Sequence, residues 1–147
     1  MTHRHPPVVD YRARVEHVDT DAAGIVHFSR YTSLMETAGL EFLESRGAGL
    51  SAFLEDGAQL VVTRLRVSYA HSAAYRDLIV GHACVEHVGG ASFRIGVTLS
   101  REEADGSRTP LASGTLTFAA VDTGSRRAIP LPSAGRLALK GIATDAG

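Results

Sequence analysis

The chain has 147 residues, 44% of them hydrophobic and 21% charged, with a formal net charge of −1. That length supports one domain with its own core, and the near-neutral balance gives no general pull towards nucleic acid or membrane. The one cysteine, Cys84, excludes an internal disulfide and a paired-cysteine zinc site, and no apolar run approaches the ~20 residues of a membrane span. Lys140 is the one lysine against fourteen arginines. The N-terminus, Met1-Thr2-His3-Arg4-His5-Pro6-Pro7, lacks the apolar core of a secretion signal, so a cytoplasmic protein is expected. His3 and His5 stand in this polar tail, where a disordered end is expected rather than a metal site.

From Val9 the pattern alternates: Val9, Tyr11, Ala13 and Val15 fall on one face and Asp10, Arg12, Arg14 and Glu16 on the other. This predicts a half-buried strand. It leads into Asp19-Thr20-Asp21-Ala22-Ala23-Gly24-Ile25-Val26-His27-Phe28-Ser29-Arg30-Tyr31. Two acids there precede a small-residue turn that feeds a helix. A helix start carries backbone N–H groups without intrahelical partners and the positive end of the helix dipole. Such a place can hold an oxygen that gains negative charge, and Asp21 is within a turn's reach as base or nucleophile. The stretch points to acyl-transfer chemistry.

Tyr31, Leu34, Met35, Ala38 and Phe42 follow at helical spacing, with Leu40 and Leu43 widening the stripe. Little of this helix reads as wet, and a curved sheet is the expected enclosure. Gly47 and Gly49 mark its stop. Leu50 to Leu54 reads as a short apolar turn in the position of a lid, ended by Asp56-Gly57.

The second half changes period. Val61, Thr63, Leu65, Val67 and Tyr69 are expected on one face, against Arg64, Arg66 and Ser68. Leu78 to Val88 is strand-like but less cleanly patterned, and Cys84 within it reads as a buried, inert thiol. Gly89-Gly90 makes a turn. Phe93, Ile95, Val97 and Leu99 then alternate with polar or small residues, as do Ala112, Gly114, Leu116, Phe118 and Ala120. Ala104-Asp105-Gly106-Ser107 is a hairpin turn. A short helix is expected from Ser133 to Lys140. One strand, one long helix and four strands joined by tight turns make an α+β domain with an antiparallel meander, with no internal repeat and no linker.

The order of elements and the acidic loop resemble the hotdog-fold acyl-CoA thioesterases of the 4-hydroxybenzoyl-CoA thioesterase type. The resemblance runs from about Tyr11 to Pro130. Its sharpest part is the loop Asp19 to Tyr31, which looks closest to the hydroxybenzoyl-CoA and dihydroxynaphthoyl-CoA thioesterases. Weaker echoes are Tyr69 through Asp77 and Ser113-Gly114-Thr115. The resemblance implies a sheet of about five strands wrapped around one central helix, with residues 1–147 forming a single hotdog domain. It implies hydrolysis of an acyl-CoA to free acid and coenzyme A, without metal or bound cofactor. It makes Asp21 the catalytic carboxylate and the Phe28 amide the group that polarises the thioester carbonyl. It also implies a homodimer or homotetramer with each active site at a subunit boundary, and an acyl-CoA or an acyl carrier protein as the thioester donor. The chain departs from many relatives in carrying Phe28 where they have His, with His27 one place earlier. A one-residue shift turns a helical side chain by about 100°. Gly89-Gly90 also replaces a basic turn, which leaves Arg126, Arg127 and Arg136 as candidates for the coenzyme A phosphates.

Each candidate also has a plainer reading. Asp21 alone would read as a turn or helix cap, and Asp19 as a loop hydrogen-bond acceptor. Gly24 permits φ > 0 and close approach to a ligand. His27 reads first as a helix-start residue and second as a substrate contact. Tyr31 reads first as a core residue and second as part of the pocket lining. Glu36 lies among apolar neighbours and needs a partner: backbone, an arginine, or a hydroxyl on the acyl group. His71, His82 and His87 make no ligand cluster. The rival readings are a hotdog hydratase or dehydratase acting on acyl thioesters, and a thioester-binding protein without activity.

Overall fold

The computed structural model describes residues 10–144. The elements are β1 (Tyr11–Arg14), a 3-10 turn (His17–Asp19), α1 (Phe28–Ser45), α2 (Leu50–Glu55), β2 (Ala58–Tyr69), β3 (Leu78–Val88), β4 (Ser92–Glu102), β5 (Arg108–Asp122), β6 (Ala128–Ile129) and α3 (Ser133–Ile142). The sheet runs β1-β3-β4-β5-β2, with the short β6 beside β5. Every pairing is antiparallel. Val9, His3 and His5 lie outside the described residues.

The helix α1 runs along the concave side of this sheet, as its apolar stripe requires. Tyr31, Leu34, Met35, Ala38 and Leu43 are buried, while Phe42 is half-buried against the core. The closest approach is at Gly39, where any side chain would collide with Ile95. One flank of α1 remains open in the single chain: Ser29, Ser33, Glu36, Glu41 and Glu44 are exposed. The helix is therefore less enclosed than its sequence suggests. It ends through Gly47, whose φ of +73° favours glycine.

The segment expected as a lid is the helix α2, and it is part of the core. Phe53 is fully buried and stacks on Phe93 with ring centroids 6.2 Å apart, and Phe93 stacks on Phe118 at 5.4 Å. Burying one such ring is worth about 1.5–3 kcal/mol, so α2 plugs one end of the barrel-like half-shell.

Two strands differ from simple alternation. A bulge between Val62 and Arg64 adds one residue to β2. The inward side is thus Ala58, Leu60 and Val62, then Leu65, Val67 and Tyr69. Val61, opposite Ala119, and Thr63 leave the face assigned to them, because one extra residue inverts the alternation beyond it. A second shift, between Val85 and His87, explains the unclean pattern of β3. There Ala83 and Val85 take the inward side. Cys84, opposite Gly96, comes to the outer face and is half-buried rather than fully buried.

Among the described residues, no helix is long and apolar enough to cross a membrane, and no group of three or more His, Cys, Asp or Glu could hold a metal ion.

Candidate active site

The loop before α1 is tied down by its own backbone. Thr20 bridges Val26, the Asp21 amide donates to the Ile25 carbonyl at 2.9 Å, and the Gly24 amide donates to the Asp21 carbonyl at 3.0 Å. Gly24 closes this turn at φ +82°, a conformation that costs other residues strain. The two acids divide the work. Asp19 Oδ1 accepts from Arg30 Nε at 2.7 Å, and Asp19 Oδ2 accepts from the Glu16 amide at 2.8 Å. The Asp19 carbonyl accepts from the His27 amide at 3.0 Å. Asp19 is thus fully used in fastening the loop to the first turn of α1. Asp21 is exposed, and only its Oδ1 is engaged, by the Ala23 amide at 2.8 Å. Its Oδ2 has no hydrogen bond among the described residues.

The start of α1 leaves one amide over. The His27 amide bonds to Asp19, the Ser29 amide to His27 Nδ1 at 3.2 Å, and the Arg30 amide to the His27 carbonyl at 2.9 Å. Phe28 is the first helical residue, and its N–H has no partner among the described residues. His27 is the N-cap. Its ring lies 2.7 Å from Ser29 Oγ through Nδ1 and stacks on Phe28 at 4.5 Å. The imidazole is occupied as a cap, and it does not line the groove described next.

A groove of about 320 Å³ brings Asp21, Phe28 and Tyr31 together with Tyr69, His71 and Ser72, walled further by Ile25 and Val26. The second segment is braced against the first. The Val26 amide donates to Ala73 O at 2.8 Å, Ile25 bridges Ala74, and the Ala73 amide donates to the Tyr31 hydroxyl at 2.9 Å. Tyr69 donates its hydroxyl proton to the Phe28 carbonyl at 3.0 Å and meets the Tyr31 ring edge-on at 5.6 Å. Burial pushes the Tyr31 phenol above its ordinary value, so it stays neutral. The walls are apolar and aromatic, and the polar groups are few. This is the usual make-up of a small-molecule site.

Of the residues singled out in the sequence, Asp21, Phe28 and Tyr31 line the groove, and Gly24 shapes its loop from an exposed position. Glu36 is exposed and outside the groove, with no partner among the described residues, although its sequence neighbours are apolar. The helix turns it to the open flank of α1. Tyr69, His71 and Ser72 went unnamed as site residues in the sequence. Their signals were the weaker family echo over Tyr69 through Asp77 and their position at and just past the end of β2. Arg136 is held by its own chain, donating from Nε to the Gly89 carbonyl at 2.9 Å.

A half-shell of antiparallel sheet around one helix, with an acid and a free amide at the helix start, defines a hotdog protein of thioesterase type. Residues 15–139 match the family model of the thioesterase-like superfamily, and the chain belongs to that family. A relative from Aquifex aeolicus (strain VF5) is 32% identical over 93 residues, which is 63% of this chain and 73% of the relative. Among solved structures, the 4-hydroxybenzoyl CoA thioesterase of Pseudomonas sp. strain CBS-3 superposes with a TM-score of 0.78. It is 21% identical, over 88% of this chain and 97% of that one. The 1,4-dihydroxy-2-naphthoyl-CoA thioesterase of Synechocystis has a TM-score of 0.76 at 20% identity, over 89% and 94%. At these identities the likeness establishes the fold.

Proposed function

We propose that this protein hydrolyses acyl-CoA thioesters to the free acid and coenzyme A. One observation carries the reading: the half-free carboxylate of Asp21 and the unpartnered Phe28 amide share a single apolar-walled groove. The thioester carbonyl lies with its oxygen on the Phe28 N–H and its carbon facing Asp21. Asp21 attacks that carbon, or takes a proton from a water that does. The oxyanion is stabilised by the amide and the positive end of α1. Collapse of the tetrahedral species expels the thiolate. The aromatic-walled groove and the names of the similar thioesterases favour an aromatic acyl group. An acyl carrier protein is an alternative thioester donor.

The test is release of free thiol from a panel of aromatic and aliphatic acyl-CoAs and an acyl carrier protein. Hydrolysis yields thiol, hydration of the acyl chain does not, and binding alone does neither. A protein that binds acyl-CoA yet releases no thiol from any member would overturn the reading.

The active form is a homodimer or homotetramer. In the sheet order β2 is an outer strand, and it carries exposed apolar side chains: Val61, Val62, Leu65 and Tyr69 are 37–49% exposed. An open edge of this kind demands a cover. Leu65→Arg is expected to shift light-scattering mass to the monomer and to lower activity. A wild type that is monomeric and active at micromolar concentration removes the idea. Such a boundary is also the only route by which exposed Glu36 reaches an acyl hydroxyl. If it does, Glu36→Gln lowers turnover of hydroxybenzoyl-CoA about ten- to a hundredfold more than that of benzoyl-CoA. Equal effects on both make Glu36 a surface residue.

A further inference from the structure

We propose that His71 is a second catalytic residue of the Asp21 groove, the acid that delivers a proton to the departing sulfur. The inference rests on the thioester-hydrolase reading above.

The groove's polar side chains can be taken one by one. The Tyr69 hydroxyl is spent on the Phe28 carbonyl and the Tyr31 hydroxyl on the Ala73 amide. Asp21 is the attacking group or base. Ser72 has a hydroxyl too weakly acidic to give up a proton at neutral pH. That leaves the His71 imidazole, which has no side-chain partner among the described residues and is the one remaining lining side chain whose chemistry suits proton donation to sulfur. The other titratable groups lining the groove are Asp21, Tyr31 and Tyr69; Arg101, paired to Asp77 and Glu103, holds the Ser72 carbonyl next to His71 in the chain.

Backbone geometry sets where His71 stands. Its amide and that of Ala70 both donate to the Leu111 carbonyl, at 3.3 and 2.8 Å. One residue further, the Ser72 carbonyl is held by Arg101 Nη1 at 3.0 Å. The segment then runs antiparallel to the acidic loop, Ala73 against Val26 and Ala74 against Ile25. Two residues before His71, the Tyr69 hydroxyl donates to the Phe28 carbonyl at 3.0 Å, so the segment is tied to the start of α1 on both sides of His71. On this reading His71, lining the same groove as Asp21 and Phe28, serves the leaving sulfur rather than the far end of the acyl group.

The step balances. As the tetrahedral oxyanion collapses, the C–S bond breaks and its electron pair goes to sulfur. The imidazolium proton of His71 moves to that sulfur, giving free thiol and neutral imidazole. The water that completes hydrolysis supplies the proton that restores His71.

The test varies the leaving group. His71→Ala and His71→Gln are expected to lower kcat/KM for an acyl-CoA about a hundredfold, the low end for a general acid. The S-phenyl thioester of the same acid expels a thiolate stable enough to leave unaided, so its loss should stay within about threefold. A structural role would reduce both substrates alike, and that result, or no loss on either, overturns the proposal. Variants that match an active wild type sink His71 alone. A wild type inert on both thioesters sinks the hydrolase reading and the proton donor with it.

Discussion

The two ends of α1 each face a groove of similar size, about 320 Å³ at its start and about 280 Å³ beside its C-terminal half. They differ in what the charges are doing. At the far end Asp10 accepts from His82 Nδ1 at 2.9 Å and from Arg108 Nη1 at 3.0 Å, and Arg12 is forked onto Glu102 at 2.8 and 3.2 Å. Each of these charges has a partner. That groove also borders Glu41 near the negative end of the helix dipole. Nothing there would welcome a developing oxyanion. At the start of α1 the dipole is positive, and among the described residues one amide is unclaimed and an aspartate keeps an oxygen free. Two hollows of similar volume on one helix therefore differ in chemical capacity through dipole direction and hydrogen-bond bookkeeping.

The largest break of this contrast is Asp21→Asn. Asn is nearly isosteric and keeps the acceptor for the Ala23 amide, so the loop should hold its shape. Turnover of acyl-CoA should fall by at least a few hundredfold with binding retained, since amides are neither bases nor nucleophiles here. Steady-state kinetics within a few-fold of wild type would take Asp21 out of the mechanism.

Next in size is the removal of a single hydrogen atom's worth of function at Phe28. This residue opens α1, the one helical position where proline is well tolerated. His27 before it is extended, at φ −62° and ψ 137°, as a residue preceding proline must be. Phe28→Pro thus deletes the proposed oxyanion donor while leaving the helix in place. A loss in kcat of about a hundredfold is expected, against a much smaller one for Phe28→Ala, which keeps the N–H. Equal losses would show that the ring matters and the amide does not.

These residues also mark what was legible in the sequence. Asp21 could be singled out because an acid, a turn and a helix start lie close together in the chain, whereas Phe28 was named only through the family resemblance. The inward faces of β4 and β5 could be read because period two survives along them. The face of β2 beyond Thr63 could not be assigned consistently with the part before it, because a bulge leaves no mark in hydrophobicity. Tyr69 and His71 were hidden for another reason. They reach the groove from the end of β2 and the segment just past it, across more than forty residues of chain, and no local periodicity announces that meeting. Glu36 misled in the opposite way, since apolar neighbours along a helix say little about which flank a residue occupies.

The smallest expected effect concerns the groove that should do no chemistry. Burial by itself would raise the Asp10 carboxyl, but hydrogen bonds and charge from His82 and Arg108 outweigh it and hold the group below its ordinary 3.8. A carboxylate depressed in the folded state adds stability that is present above its unfolded value and lost as pH falls through the folded one. Both the His82 and Arg108 side chains are substantially exposed, at 56% and 42%, so solvent screens the gain. Asp10→Asn should therefore lower Tm at pH 7 by only about 1–4 °C. The gap to wild type should begin to narrow as the pH falls past 3.8 and should close only below the depressed folded value, where the native carboxyl is neutral as well. Hydrolysis of acyl-CoA should be unchanged. A pH series of melting curves in which the two proteins stay parallel would mean that the cluster adds no stability. A loss of activity with Tm intact would mean that the two ends of α1 are less distinct than their hydrogen bonds make them.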